Sequence, residues 1–133
     1  MLTLNKAKEI LAAAEDKARE FGIAVSMVVV DTHGSMIAVA RMDEAIPISP
    51  RFAYAKAFTS ASLGLPSEGL AQFAVEGKPY FGVTDVLGGE LTPIAGGVPL
   101  MHDGKVVGGI GVGGSMDVNQ DAACAKAGAA MMG

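Results

Sequence analysis

At 133 residues, half of them apolar but only 5% aromatic and none tryptophan, the chain is long enough for a core built largely from Ala, Val, Leu, Ile and Met. A net charge of -4, with no basic stripe interleaved with aromatics, argues against a nucleic-acid partner. The lone Cys124 permits no internal disulfide. No secretory pattern precedes the first helix and no uncharged apolar run reaches about 18 residues, so a cytoplasmic protein without a membrane partner is expected.

Thr3 is placed to cap a helix whose apolar residues Ala7, Ile10, Leu11, Ala14, Ala18 and Phe21 recur at helical spacing, with Gly22 as its stop. Two apolar runs, Ile23 to Val30 and Met36 to Arg41, flank Asp31-Thr-His-Gly34 and read as a hairpin. Ser49 is expected to cap a second helix with Pro50 in its first turn, stopped by Gly64 and Pro66. On that helix Phe52, Lys56, Thr59 and Leu63 share a face, which sets Lys56 among apolar neighbours.

A short third helix is predicted from about Ser67 to Glu76, then a loop from Gly77 to Gly89. From Leu91 the pattern returns to strand, with Gly96-Gly97 as a turn or bulge and Val98 to His102 as a further strand. Asp103-Gly104 is a hairpin turn that returns the chain along Lys105 to Gly114. Asp117 and Gln120 resemble a capping box at the start of a last helix, whose apolar face is Val118, Ala122, Ala125, Ala129 and Met132. The order implies one α+β domain over residues 1–133, a five-stranded antiparallel sheet flanked by helices.

Gly108-Gly-Ile-Gly-Val-Gly-Gly-Ser115 contains G-x-G-x-x-G at Gly109, Gly111 and Gly114. A dinucleotide site needs a βαβ unit and an acidic residue about 20 positions further on, and that position lies beyond Gly133. In a strand, Gly109, Gly111 and Gly113 instead turn a face without side chains to one side of the sheet. Either the Ala- and Gly-rich last helix packs there, or the face is the floor of a ligand site or a subunit contact.

Arg41 and Lys56 are the cations expected to be partly enclosed, and each is a candidate partner for a ligand carboxylate. Together with Gly96, Gly97, Gly111 and Gly113 they form the candidate binding set. Lys56 and Asp121 are the catalytic candidates for proton transfer, although Asp121 also suits the first turn of a helix electrostatically. His33 and His102 are metal candidates at hairpin tips, without metal-ligand spacing to support them. Met36, Met42 and Met101 lie near strand ends where a cofactor pocket would open.

Taken together, Val30-Asp-Thr-His-Gly34, Arg41-Met-Asp-Glu-Ala45, Lys56-Ala-Phe-Thr59, Gly96-Gly-Val-Pro99, Asp103-Gly-Lys-Val-Val-Gly-Gly-Ile-Gly-Val112 and Gln120-Asp-Ala-Ala-Cys-Ala-Lys-Ala-Gly128 resemble the GlcG/HbpS-like family. That family includes the C-terminal domain of PduO-type cobalamin adenosyltransferases. The resemblance spans nearly the whole chain. It implies a profilin-like five-stranded antiparallel sheet flanked by helices, assembly into homo-dimers or larger homo-oligomers, and in some members haem binding in an accessory or sensor role. The family commonly reads Gly-Ala-Ile-Gly-Val-Ser-Gly where this chain has Gly108-Gly-Ile-Gly-Val-Gly-Gly114, a loss of one methyl and one hydroxyl. Haem is therefore the candidate cofactor, with its axial ligand left open among His33, His102 and the methionines. The same ingredients also fit a smaller carboxylic acid, and the alternative is a small catabolic enzyme acting on one.

Overall fold

The computed structural model describes residues 1–133. Helix α1 runs over Leu4–Phe21, strands β1 and β2 over Ser26–Asp31 and Met36–Arg41, and helix α2 over Ser49–Leu63. A 3-10 turn at Ser67–Leu70 leads into a one-turn helix α3, Ala71–Ala74; strands β3 and β4 cover Gly97–His102 and Lys105–Gly113, and helix α4 covers Val118–Ala129. The strands form one antiparallel sheet in the order β2-β1-β4-β3, so the fold is α+β with four strands.

The ends of α1 follow directly from its sequence. The Thr3 hydroxyl accepts the Lys6 N–H at 3.1 Å, and Gly22 closes the helix at φ 72°, a conformation that costs glycine little. The β1–β2 turn is held by Asp31, whose Oδ1 accepts the N–H groups of His33 at 2.8 Å and Ser35 at 3.0 Å. At the β3–β4 turn both Asp103 and Gly104 adopt positive φ, as a type I′ turn requires.

The two faces of the sheet are packed differently. Against one lie α1 and α4, where Ile10, Met27, Val29, Leu100, Ile110 and Val112 make the main core together with small residues including Ala14, Cys124 and Ala125. Each fully buried large side chain there contributes about 1.5–3 kcal/mol of transfer free energy. The other face carries Val28 and Val30 beside the glycines of β4, and α2 lies on it through Ala53, Ala57 and Ala61.

That second layer answers the question raised by the glycine strand, and corrects the expectation that α4 covers it. A Cβ on Gly111 would be driven into the Ala53 carbonyl oxygen; one on Gly109 would stand 2.5 Å from that of Ala57, and one on Gly113 2.9 Å from the Phe52 Cβ. The bare ribbon is the seat of α2, and no ligand-sized space remains above Gly111 or Gly113. Helix α4 makes its own close approach on the opposite face, where Gly128 passes within 2.6 Å of Ile110 Cδ1, measured from the position its Cβ would take.

Three other expectations change. The fifth strand, from Leu91, does not form: Pro93 removes a donor, and the neighbouring backbone is held by side chains instead of a ladder. Thr92 N–H donates to Thr59 Oγ1 at 2.9 Å, and Ser67 Oγ donates to the Ile94 carbonyl at 2.6 Å. Ser49 does not cap α2, because Ile48 occupies the cap position and the Ser49 hydroxyl is paired with that of Ser26 at 2.7 Å. Asp117 does cap α4, accepting the Asn119 N–H at 2.9 Å, but Gln120 leaves the capping box unfinished by accepting the Ser115 hydroxyl at 2.7 Å.

Candidate functional site

Lys56 is the most constrained charge in the molecule. Its side chain, only 4% exposed, leaves α2 and runs past Gly96, where a Cβ would stand 2.8 Å from both Cδ and Nζ. A Cβ on Gly97 would collide with the Lys56 carbonyl, so the glycine pair is the slot through which the lysine passes. At the end of that path Nζ donates to the Val112 carbonyl at 2.9 Å and to Asp121 Oδ2 at 3.0 Å.

Asp121, in the first turn of α4 and 1% exposed, uses its other oxygen to accept the Ser115 N–H at 3.1 Å. The pair thereby ties α2 to α4, which lie on opposite faces of the sheet, at the end of β4. Burial pushes the Asp121 carboxyl above the usual carboxylate range, and the charge and hydrogen bond of Lys56 oppose that rise without cancelling it. Such a clamp specifies geometry more than it stabilises. Removing one partner of a buried pair costs roughly 3–5 kcal/mol, whereas replacing both by apolar groups is often neutral.

The structure therefore brings Lys56, Asp121, Gly96 and Gly97 together and leaves the other candidates apart. Arg41 is exposed and makes no ion pair, against the expectation of enclosure, because β2 is an edge strand that α2 does not reach across. His33 is exposed in its turn. His102 is half exposed, with only Asp103 nearby at 3.4 Å. No three His, Cys, Asp or Glu side chains converge on a metal-sized site. Cys124 is buried, and burial together with the Asp121 charge pushes its thiol up to about 11.

Two recesses flank the N-terminal half of α2. The larger, of about 560 Å³, is an open cleft between the N-terminal half of α2 and the part of the sheet that α2 leaves uncovered. Its walls include Val28, Met36 and Val39 from the sheet and Phe52, Tyr54 and Arg51 from the helix, and Gly88-Gly89-Glu90 closes one end. Burial and the Glu90 charge hold the Tyr54 hydroxyl above its usual pKa, so it is a neutral phenol. The smaller recess, of about 190 Å³, lies over Lys56 and is lined also by Phe52, Thr92, Ile94, Ser115 and Val118.

Sequence reasoning identified Met36 as near a pocket but passed over Arg51, Val39, Tyr54 and Thr92. A signal for Arg51 was present: it directly follows the helix-starting Pro50, on the same turn as Phe52 and one turn before Tyr54 and Ala55.

Comparison with known proteins places this geometry in a family. The model described as "Haem degrading protein HbpS-like" matches residues 2–130, and the chain belongs to that family. Protein GlcG of Escherichia coli strain K12 is 36% identical over 112 residues, which are 84% of this chain and 81% of GlcG. Among solved structures, a PduOC–haem complex superposes with a TM-score of 0.92 at 28% identity, covering 98% of this chain and 94% of the other. A double mutant of HbpS from Streptomyces reticuli superposes with a TM-score of 0.91 at 36% identity, covering 99% and 87%.

Proposed function

We propose that this chain is a small-molecule binding protein that holds haem, or another flat ligand bearing carboxylates, in the cleft between β2 and α2, and that it serves an accessory or sensor role. The observation that carries this reading is the cleft itself. Its volume of about 560 Å³ suits a ligand of that size, its walls are largely apolar, and one cation, Arg51, lines it. Haem needs apolar contact for its ring and a cation for its propionates, and these residues meet both needs. Arg51 takes the part expected of Arg41.

Met36, 61% exposed, is the cleft's one thioether and the residue that would ligate iron in this reading; neither histidine lines the cleft. Bound haem would supply redox or gas-sensing chemistry at its iron. A solved relative is a PduOC–haem complex, which supports the choice of ligand. The cleft is open along β2, and Met36, Val39, Ile46 and Ile48 are exposed beside it, so a homo-oligomer in which a second copy closes the site is part of the proposal. A cytoplasmic location agrees with the single buried cysteine, and no helix is long and apolar enough to cross a membrane. The proton-transfer alternative loses ground because Lys56 and Asp121 are committed to each other.

Titration with hemin tests the reading. The expected result is a saturable Soret change at a fixed stoichiometry, abolished by Val39→Glu and weakened about tenfold by Arg51→Gln, a loss of ~1.4 kcal/mol. Met36→Leu is expected to shift the Soret maximum. Non-saturating binding, or binding indifferent to Val39→Glu, overturns it.

A further inference from the structure

The small recess over Lys56 has a chemistry of its own. An ammonium carries three N–H donors, and Lys56 spends one on Val112 and one on Asp121, leaving the third without a protein acceptor. Thr92 lines the same recess, and its hydroxyl accepts the Ile94 N–H at 3.2 Å but donates to nothing in the chain. Val118, the first residue of the twelve-residue helix α4, brings the positive end of that helix to the wall. Of the remaining lining, Phe52, Ala55 and Ile94 are apolar, and Ser115 has its hydroxyl already engaged, donating to Gln120 Oε1 and accepting the Asp117 N–H.

Two unspent donors, a helix N-terminus and apolar walls select a small anion with a short carbon tail. At about 30 Å³ per water-sized group, a recess of about 190 Å³ holds about six such groups, too few for haem. We propose that this recess is a second binding site, taking a free monocarboxylate of about four to six heavy atoms whose carboxylate is received by the Lys56 ammonium and the Thr92 hydroxyl.

Charge balance adds one requirement. Lys56 and Asp121 already neutralise each other, and the titratable groups facing the site are Lys56 on α2 and Asp121 and Asp117 on α4; the stretch 91–97 and the end of β4 contribute none. Burial raises the Asp121 carboxyl, and a second carboxylate at the same ammonium raises it further, so binding is expected to be accompanied by proton uptake. Phe52 and Ala55 line both this recess and the haem cleft, but the groups that receive the anion are not those of the cleft: failure of hemin to bind leaves this site untouched, and its own failure leaves the cleft reading intact.

The test is titration of the full chain with sodium propionate, and with propionamide as a neutral match, followed by amide chemical shifts and by heat in two buffers of different ionisation enthalpy. Propionate is expected to saturate, to move the amides of Thr92, Ser115 and Val118, and to draw protons from the buffer, whereas propionamide leaves those amides unmoved. Thr92→Val is expected to weaken binding about ten- to a hundredfold, the loss of one hydrogen bond to a charged group. Val118→Phe is expected to fill the recess and abolish binding while the rest of the amide spectrum stays native. Both variants leave the Lys56–Asp121 clamp in place. An equal response to propionamide, an absence of saturation, an absence of proton uptake, or propionate shifts that survive Val118→Phe each overturn the proposal.

Discussion

Replacing Lys56 by Met removes the ammonium from a site where Asp121 has no access to water. The stranded carboxylate must then ionise in an apolar setting or take up a proton, and the Val112 carbonyl loses its side-chain donor. The expected cost is about 3–5 kcal/mol near neutral pH. With a urea slope of about 1.5 kcal/mol per molar, the unfolding midpoint falls by about 2–3 M. The double variant Lys56→Met, Asp121→Leu strands no charge. It leaves only the Ser115 N–H and the Val112 carbonyl short of a partner, and it is expected to cost about 1–2 kcal/mol, far below the sum of the single changes.

The pH dependence has a definite sign. Asp121 is raised in the folded state, so its contribution is fully present below the unfolded carboxylate value and is lost as pH rises through the folded one. Without Lys56 the folded value rises further, so Lys56→Met is expected to regain stability relative to the parent as pH is lowered toward about 4. Urea unfolding of the parent, both single variants and the double variant at two pH values measures all of this. A single change costing under about 1 kcal/mol, or a double change as costly as the sum, refutes the buried clamp.

Gly111→Ala is expected to cost about 3 kcal/mol or to block folding, because its Cβ meets the backbone of α2 at Ala53. Gly104→Ala, with open space around it but φ 75°, is expected to cost only about 1 kcal/mol; thermal melts of the two compare collision with backbone strain. Cys124, with its thiol raised to about 11, is expected to resist alkylation at pH 8 in the folded protein and to react promptly in denaturant, as mass spectrometry reads directly.

The elements with local punctuation were legible in the sequence. Thr3 and Gly22 bound α1, and Asp103-Gly104 turns β3 into β4, because each of these signals acts within a few residues. The convergence of Lys56 with Gly96, Gly97 and Asp121 was foreseeable only as a set of unusual residues, since the contact joins positions 65 residues apart across the sheet. The identity of the helix on the glycine ribbon was misread although its sign was in plain view. Ser49, Ala53, Ala57 and Ala61 place a small residue every fourth position, the complement of Gly109, Gly111 and Gly113, but the larger residues on the neighbouring face drew attention away from that row. The absent fifth strand turned on Thr59 and Ser67, whose hydroxyls capture backbone groups from a segment remote in sequence. Arg51 and the cleft were hidden for a related reason. A recess is made by what fails to cover β2, and no local pattern records the reach of a helix across a sheet.

Phe52 and Ala55, one turn apart on α2, line both recesses, the wide one beside β2 and the narrow one above Lys56. Helix α2 sits low on the sheet because Gly109, Gly111 and Gly113 carry no side chain beneath it, and Phe52 remains 45% exposed. A substitution at Phe52 therefore reaches both compartments at once, and how deeply the helix between them settles is set by three missing methyl groups.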